Sequence, residues 1–157
     1  MSEMSVQRLQ SMAGDCGQEP NDNYMRAQLA CQEMVIESLR LIDDGQASKV
    51  RAMFVADGEH TLNGAVFAGE ALTAFFNARQ AMTERRTRHC VSNLSFRLHS
   101  QNCAEVRSTV VVYLLSLDTD EQRRIPRGIV DFNDRFVRKD EHWYLSRREA
   151  TIVAGER

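Results

Sequence analysis

Proton chemistry near neutral pH needs a group that titrates there, and the chain offers four histidines: His60, His89, His99 and His142. His89 is the one placed for work. It lies in an alternating run with Val91 two positions on, so the two side chains share one face of a strand. An imidazole so placed can take or give a proton, and a carboxylate beside it would fix which ring nitrogen carries the hydrogen. The competing assignment is a ring that packs at a bend of the sheet and hydrogen-bonds locally. The other three histidines fall in or near expected turns and read as surface residues. Two sets of acids are candidates for a partner. Asp43 and Asp44 stand before Gly45 at an expected helix end, where an anion is unfavourable; either they are turn residues or one of them is held inward for a purpose. Asp131, Asn133 and Arg135 alternate with Phe132, Asp134 and Phe136, so one set faces the interior and the other faces solvent or a partner. With Asp131 inward among apolar side chains, desolvation would raise its pKa and suit it to proton abstraction.

Other chemistries have no foothold. No two histidines share metal-ligand spacing on one strand, and Cys16, Cys31, Cys90 and Cys103 lack a C-x-x-C pair, so no metal or other cofactor is expected. A Gly-rich phosphate loop and a nucleophile elbow are both missing. Arg85-Arg86-Arg88 and Arg123-Arg124 lack interleaved aromatics and are offset by acids, and the net charge is −2, which argues against nucleic acid as a partner. No apolar run approaches the ~20 residues of a membrane span, and residues 1–20 lack the basic start and apolar core of a secretory signal. A cytoplasmic protein with reduced thiols is expected.

The elements that must position these residues follow from periodicity. Asn21-Asp22-Asn23 offers caps for a helix whose stripe is Met25, Leu29, Val35, Ile36, Leu39 and Ile42, ending at Asp43-Asp44-Gly45. A second helix is expected over 47–55, carrying Val50, Met53 and Phe54 and stopped by Asp57-Gly58. Asn63-Gly64 centres a hairpin over 59–67, and a third helix over 69–79 packs through Leu72, Phe75 and Phe76. From position 87 the period changes to two. His89 and Val91 hold one phase, and Leu94, Phe96 and Leu98 the other, which predicts a bulge at Ser92-Asn93 and a bent sheet. Further strands are expected over 104–117, 127–138 and 143–153, with turns at Ser100-Gln101-Asn102 and Asp118-Thr119-Asp120. At 157 residues this is one domain, here 21–157 behind a tail of 1–20. Helices followed by short-turn strands define an α+β fold in the order α-α-β-β-α-β-β-β-β. A curved antiparallel or mixed sheet would wrap the helices as a cone, with a cavity between the layers.

Four stretches then resemble, in order, the SnoaL-like branch of the nuclear transport factor 2-like superfamily: Leu41-Ile42-Asp43-Asp44-Gly45, Met53-Phe54-Val55-Ala56-Asp57-Gly58, Arg86-Thr87-Arg88-His89-Cys90-Val91-Ser92-Asn93, and Asp134-Arg135-Phe136-Val137-Arg138 followed by Trp143. The likeness spans about 24–153. Similarity to scytalone dehydratase-like members implies His89 and Asp43 as a pocket pair, with a polar pair near Asp131 and Asn133. Ile42 and Val110 stand where those proteins have a tyrosine and a second histidine. The resemblance therefore implies His89, Asp43 and Asp131 as catalytic residues and Ile42, Val91, Val110, Tyr113 and Asn133 as pocket lining. It implies a cofactor-free isomerase, dehydratase or cyclase acting on a small, apolar, oxygenated ligand. The Arg-Thr-Arg-His-x-Val-Ser-Asn run is also similar to the small β subunit of aromatic-ring-hydroxylating dioxygenases. That likeness implies the alternative: a non-catalytic subunit or ligand-binding module with a larger protein partner. Either reading implies a homodimer or higher oligomer through the sheet.

Overall fold

A computed structural model describes residues 22–115 and 126–155. The expected tail of 1–20, Cys16, the turn at Asp118-Thr119-Asp120 and Arg123-Arg124 lie outside the described residues. Helix α1 (Asp22–Asp43) leads into a 3-10 helix (Ala47–Met53), strands β1 (Phe54–Leu62) and β2 (Ala65–Ala68), and helix α2 (Gly69–Ala81). Four long strands follow: β3 (Arg86–Ser100), β4 (Cys103–Leu115), β5 (Pro126–Lys139) and β6 (His142–Gly155). With β1 and β2 they form one six-stranded sheet in the order β2-β1-β6-β5-β4-β3. Only β1 and β6 run parallel; the other neighbours are antiparallel, as short connections require.

Helix α1 buries a different stripe from the one its large apolar residues suggest. Ala27, Cys31, Val35, Ser38 and Leu39 face the core, while Met25, Leu29 and Ile36 are 50%, 60% and 39% exposed. Small side chains at 27, 31 and 38 let the helix lie close against the sheet, so packing distance outweighs hydrophobicity here. Burial pushes the Cys31 thiol up to about 12, so it stays protonated and acts as a small hydrophobe.

The expected second helix is shorter than its pattern. It ends at Met53, and β1 runs straight through Asp57-Gly58. Gly58 permits this: a Cβ there would stand 3.0 Å from both Phe54 Cδ1 and the Val55 carbonyl oxygen. Pairing with β6 shifts register between Phe54 and Glu59. The Arg51 guanidinium donates to the carbonyls of Phe54, Val55 and Ala56 at 3.4, 3.3 and 3.1 Å, satisfying backbone acceptors along the irregular stretch. The Asn63-Gly64 turn forms as expected, with φ of 48° and 86°. The bulge forms too: β3 slips register against β4 between Ser92 and Ser95, with Asn93 at φ 51°.

Core residues fix which side of the sheet faces the helices. Cys31 and Val35 of α1 and Leu72 and Phe76 of α2 cluster with Ala104, Val106, Phe136 and Leu145. Directly paired residues share a side, so Val106↔Asp134↔Arg148 and Ser108↔Phe132↔Ala150 also face the helices. That corrects the expected phase of β5. Phe132, Asp134 and Phe136 point inward, and Asp131 and Asn133 point outward. The exposed Asp131 accepts a hydrogen bond from Thr109 Oγ1 at 2.8 Å. Both residues border an outer groove of about 350 Å³ with Arg107 and Glu149. Asp134 can be buried because Arg148 accompanies it, a partner no alternation pattern reveals. Tyr113 is likewise outward, paired with Arg88 across the strands rather than lining the interior.

His60 is the other reversal. It is 5% exposed and its ring packs on Phe75, Phe76 and Phe67 with centroids 4.9, 6.1 and 6.3 Å away. Burial, reinforced by the positive charge of Arg148, pulls its pKa down to about 4. His99 and His142 are exposed, as expected.

Candidate active site

Asp43 ends α1, and its side chain turns inward while that of Asp44 stays half exposed at 48%, 4.0 Å from Arg88. The inward carboxylate sits on β3. Its Oδ1 lies 2.6 Å from His89 Nδ1 and accepts the Thr87 hydroxyl at 2.9 Å. Its Oδ2 accepts the His89 backbone N–H at 2.8 Å. Burial would raise the pKa of this acid. The hydrogen bond and charge of the His89 ring, its backbone N–H and the Thr87 hydroxyl outweigh that, so the carboxyl is held below its usual range. These donors offset the unfavourable position of an anion at a helix C-terminus.

An ionised carboxylate only accepts, so His89 Nδ1 carries the hydrogen and donates it. In the neutral ring the lone pair is then on Nε2, which has no hydrogen-bond partner among the described residues. The His89 and Asp43 side chains are 11% and 8% exposed. An oriented imidazole with an open basic nitrogen is the arrangement general-base chemistry needs.

The surroundings are apolar. His89 pairs with Val112 across β3 and β4, Val91 pairs with Val110, and Val110 pairs with Val130, all on the helix-facing side. Val110 is fully buried; Val91 and Ile42 are half-buried against the core. Of the residues expected at the site, the structure therefore brings together His89, Asp43, Ile42, Val91 and Val110. It separates Asp131, Asn133 and Tyr113, which lie on the opposite side of the sheet. Among the described residues no group of three or more His, Cys, Asp or Glu is placed to hold a metal, and no helix is long and apolar enough to cross a membrane.

Two participants in the site, and one buried cation outside it, escaped the sequence reading. Thr87 is 2% exposed and lies two residues before His89, so strand periodicity could have found it. Arg79 donates to Thr87 Oγ1 at 2.9 Å from the end of α2, and nothing in its local sequence marks it. Arg148 holds Asp134 through two bonds of 2.8 and 2.6 Å, donates to Ser38 Oγ at 2.8 Å, and lies 5.1 Å from the centre of the Phe132 ring.

The SnoaL-like domain profile matches residues 23–149, and the chain belongs to that family. No curated protein matches it. Among solved structures, a provisionally assigned scytalone dehydratase from Novosphingobium aromaticivorans DSM 12444 is similar at 23% identity and a TM-score of 0.71, covering 85% of this chain and 88% of that one. LinA is similar at 18% identity and a TM-score of 0.71, with 84% and 89% covered. LinA-type3, a hexachlorocyclohexane dehydrochlorinase from Novosphingobium barchaimii LL02, is similar at 16% identity and a TM-score of 0.70, with 84% and 90% covered. At these identities the likeness defines the fold.

Proposed function

We propose that this protein is a cofactor-free lyase that eliminates a small group next to an acidic C–H bond in an apolar, oxygenated molecule such as a cyclic ketone. The observation that carries the reading is the 2.6 Å His89–Asp43 pair, with His89 Nε2 unbonded among the described residues and valines paired beside it. Nε2 takes the proton α to the carbonyl, and the C–H electrons form the C=C bond as the β C–O bond breaks. The imidazolium then returns its proton to the departing hydroxide, which leaves as water, so atoms and charge balance. Asp43 stabilises the transient imidazolium without itself being protonated. Elimination is favoured over isomerisation or cyclisation because the similar structures include proteins named as a dehydratase and a dehydrochlorinase.

Proton abstraction can be read without the natural substrate. Incubating a panel of cyclic ketones and β-hydroxyketones with the protein in D2O should give deuterium at the α carbon, followed by NMR. His89→Ala should slow exchange by about 10²–10⁴-fold, the usual contribution of a positioned base, with an unchanged far-UV spectrum. Equal exchange by wild type and variant would remove the catalytic reading.

A further inference from the structure

Three elements converge on the carboxylate of Asp43, and one of them has no part in the reaction as written. Helix α2 ends near Arg79, whose Nη2 donates to Thr87 Oγ1 at 2.9 Å and to the Arg85 carbonyl at 3.1 Å. Thr87 Oγ1 in turn stands 2.9 Å from Asp43 Oδ1. We propose that Arg79 and Thr87 are positioning residues that hold Asp43 and thereby keep His89 in its neutral, Nε2-accepting form. The inference rests on the proton-transfer reading and assigns its regulation.

The direction of every link is forced. A guanidinium only donates, so the Thr87 oxygen accepts from Arg79. Its single proton is then aimed at Asp43 Oδ1. The carboxylate only accepts, so a His89 ring hydrogen is on Nδ1, and in the neutral ring the lone pair is on Nε2. Arg79 thus removes the rotational freedom of the hydroxyl, and the hydroxyl removes that of the carboxylate.

Charge gives the second reason. A carboxylate alone beside a histidine favours the imidazolium, which cannot accept a proton. A cation one hydroxyl away draws on the same negative charge. The coupling is visible from the other end: burial and the neighbouring Arg85 lower the basicity of Arg79, while the charge of Asp43 raises it. Among the described residues, the other charged groups bonded or paired at the dyad are Asp44 at the end of α1 and Arg88 on β3. Arg88 binds the Asp43 main-chain oxygen at 3.2 Å and sits 4.0 Å from Asp44, so it acts on the backbone and a mostly solvated acid. Val112, opposite His89 on β4, is uncharged.

The test is an NMR titration of the His89 ring nitrogens in the full-length protein, comparing wild type with Thr87→Val, Thr87→Ser and Arg79→Met. Thermal melts check that each is folded. Wild type should show the Nδ1–H tautomer. Thr87→Val and Arg79→Met should move the His89 midpoint up by about half a pH unit or more and mix the tautomers; Thr87→Ser should restore the wild-type curve. Should Arg79→Met not fold, the near-isosteric Thr87→Val decides. A wild-type ring without an Nδ1–H bonded to Asp43 would overturn the proton-transfer reading itself. A wild type as expected, with midpoint and tautomer unchanged in Thr87→Val, would overturn this inference alone.

Discussion

Two carboxylates are buried on the helix-facing side of this sheet, each against a basic side chain, and they have opposite consequences. Asp134 and Arg148 are 0% and 2% exposed, and their bidentate pair is completed by Ser38 and the face of Phe132. Arginine never gives up its proton, so this pair is fixed in charge and can only hold structure. Asp43 and His89 are slightly less enclosed, and the partner is a histidine, a side chain able to take or give a proton. One ring nitrogen of His89 has no hydrogen-bond partner among the described residues. Burial and pairing are common to both regions. What distinguishes a reactive site is a titratable partner and an open atom on it.

The comparison can be broken most forcefully at the sealed pair. Arg148→Met or Asp134→Asn leaves a buried charge without its partner and should cost about 3–5 kcal/mol in urea unfolding. A double replacement by apolar residues of similar volume should recover most of that. Recovery would show that the pair is a packing solution; a double variant as unstable as the singles would show that something else depends on its charge.

A smaller effect is expected at His60, which lies beside Arg148. Unfolded, its imidazole takes a proton near 6.5; folded, burial holds that event down to about 4. Between those values the unfolded chain binds more protons, so stability present above pH 6.5 is lost as pH falls. The full window corresponds to about 3 kcal/mol. His60→Phe should flatten the pH dependence of the melting temperature between 6.5 and 4. An unchanged slope would locate the acid sensitivity elsewhere. The depressed carboxyl of Asp43 acts in the same direction but lower, its contribution fading only as pH falls below the ordinary carboxylate range.

The smallest change sharpens the assignment of sides. Asp131→Ala removes an exposed carboxylate and one Thr109 hydrogen bond on the outer face. It should shift stability by less than about 0.5 kcal/mol and leave α-proton exchange within about twofold, as expected for a residue outside the site. A loss comparable to that of His89→Ala would return Asp131 to the reaction.

Much of this architecture is legible in the sequence. The Asn63-Gly64 hairpin, the phase change at Ser92-Asn93 and the alternation of β3 and β4 are local signals, because turn geometry and strand period depend on neighbours a few positions apart. His89 and Asp43 were candidates through the family resemblance; local spacing alone left His89 equally readable as a packed ring. The phase of β5 was not. Asp131-Phe132-Asn133-Asp134 carries polar residues in both phases, so alternation cannot choose between them. The decision was made by Arg148, 14 positions away, which compensates Asp134 and lets that face be buried.

Fold class, turns and the bulge follow from short-range periodicity and backbone sterics, and the candidate base from the family resemblance. Which acid meets that base, that Arg79 and Thr87 stand behind it, that His60 is sealed among phenylalanines, and that Asp131 faces away are set by the three-dimensional packing. Those outcomes depend on contacts between distant elements. A buried polar group is tolerated only where a partner arrives from elsewhere in the chain, and no local pattern states where that partner will come from.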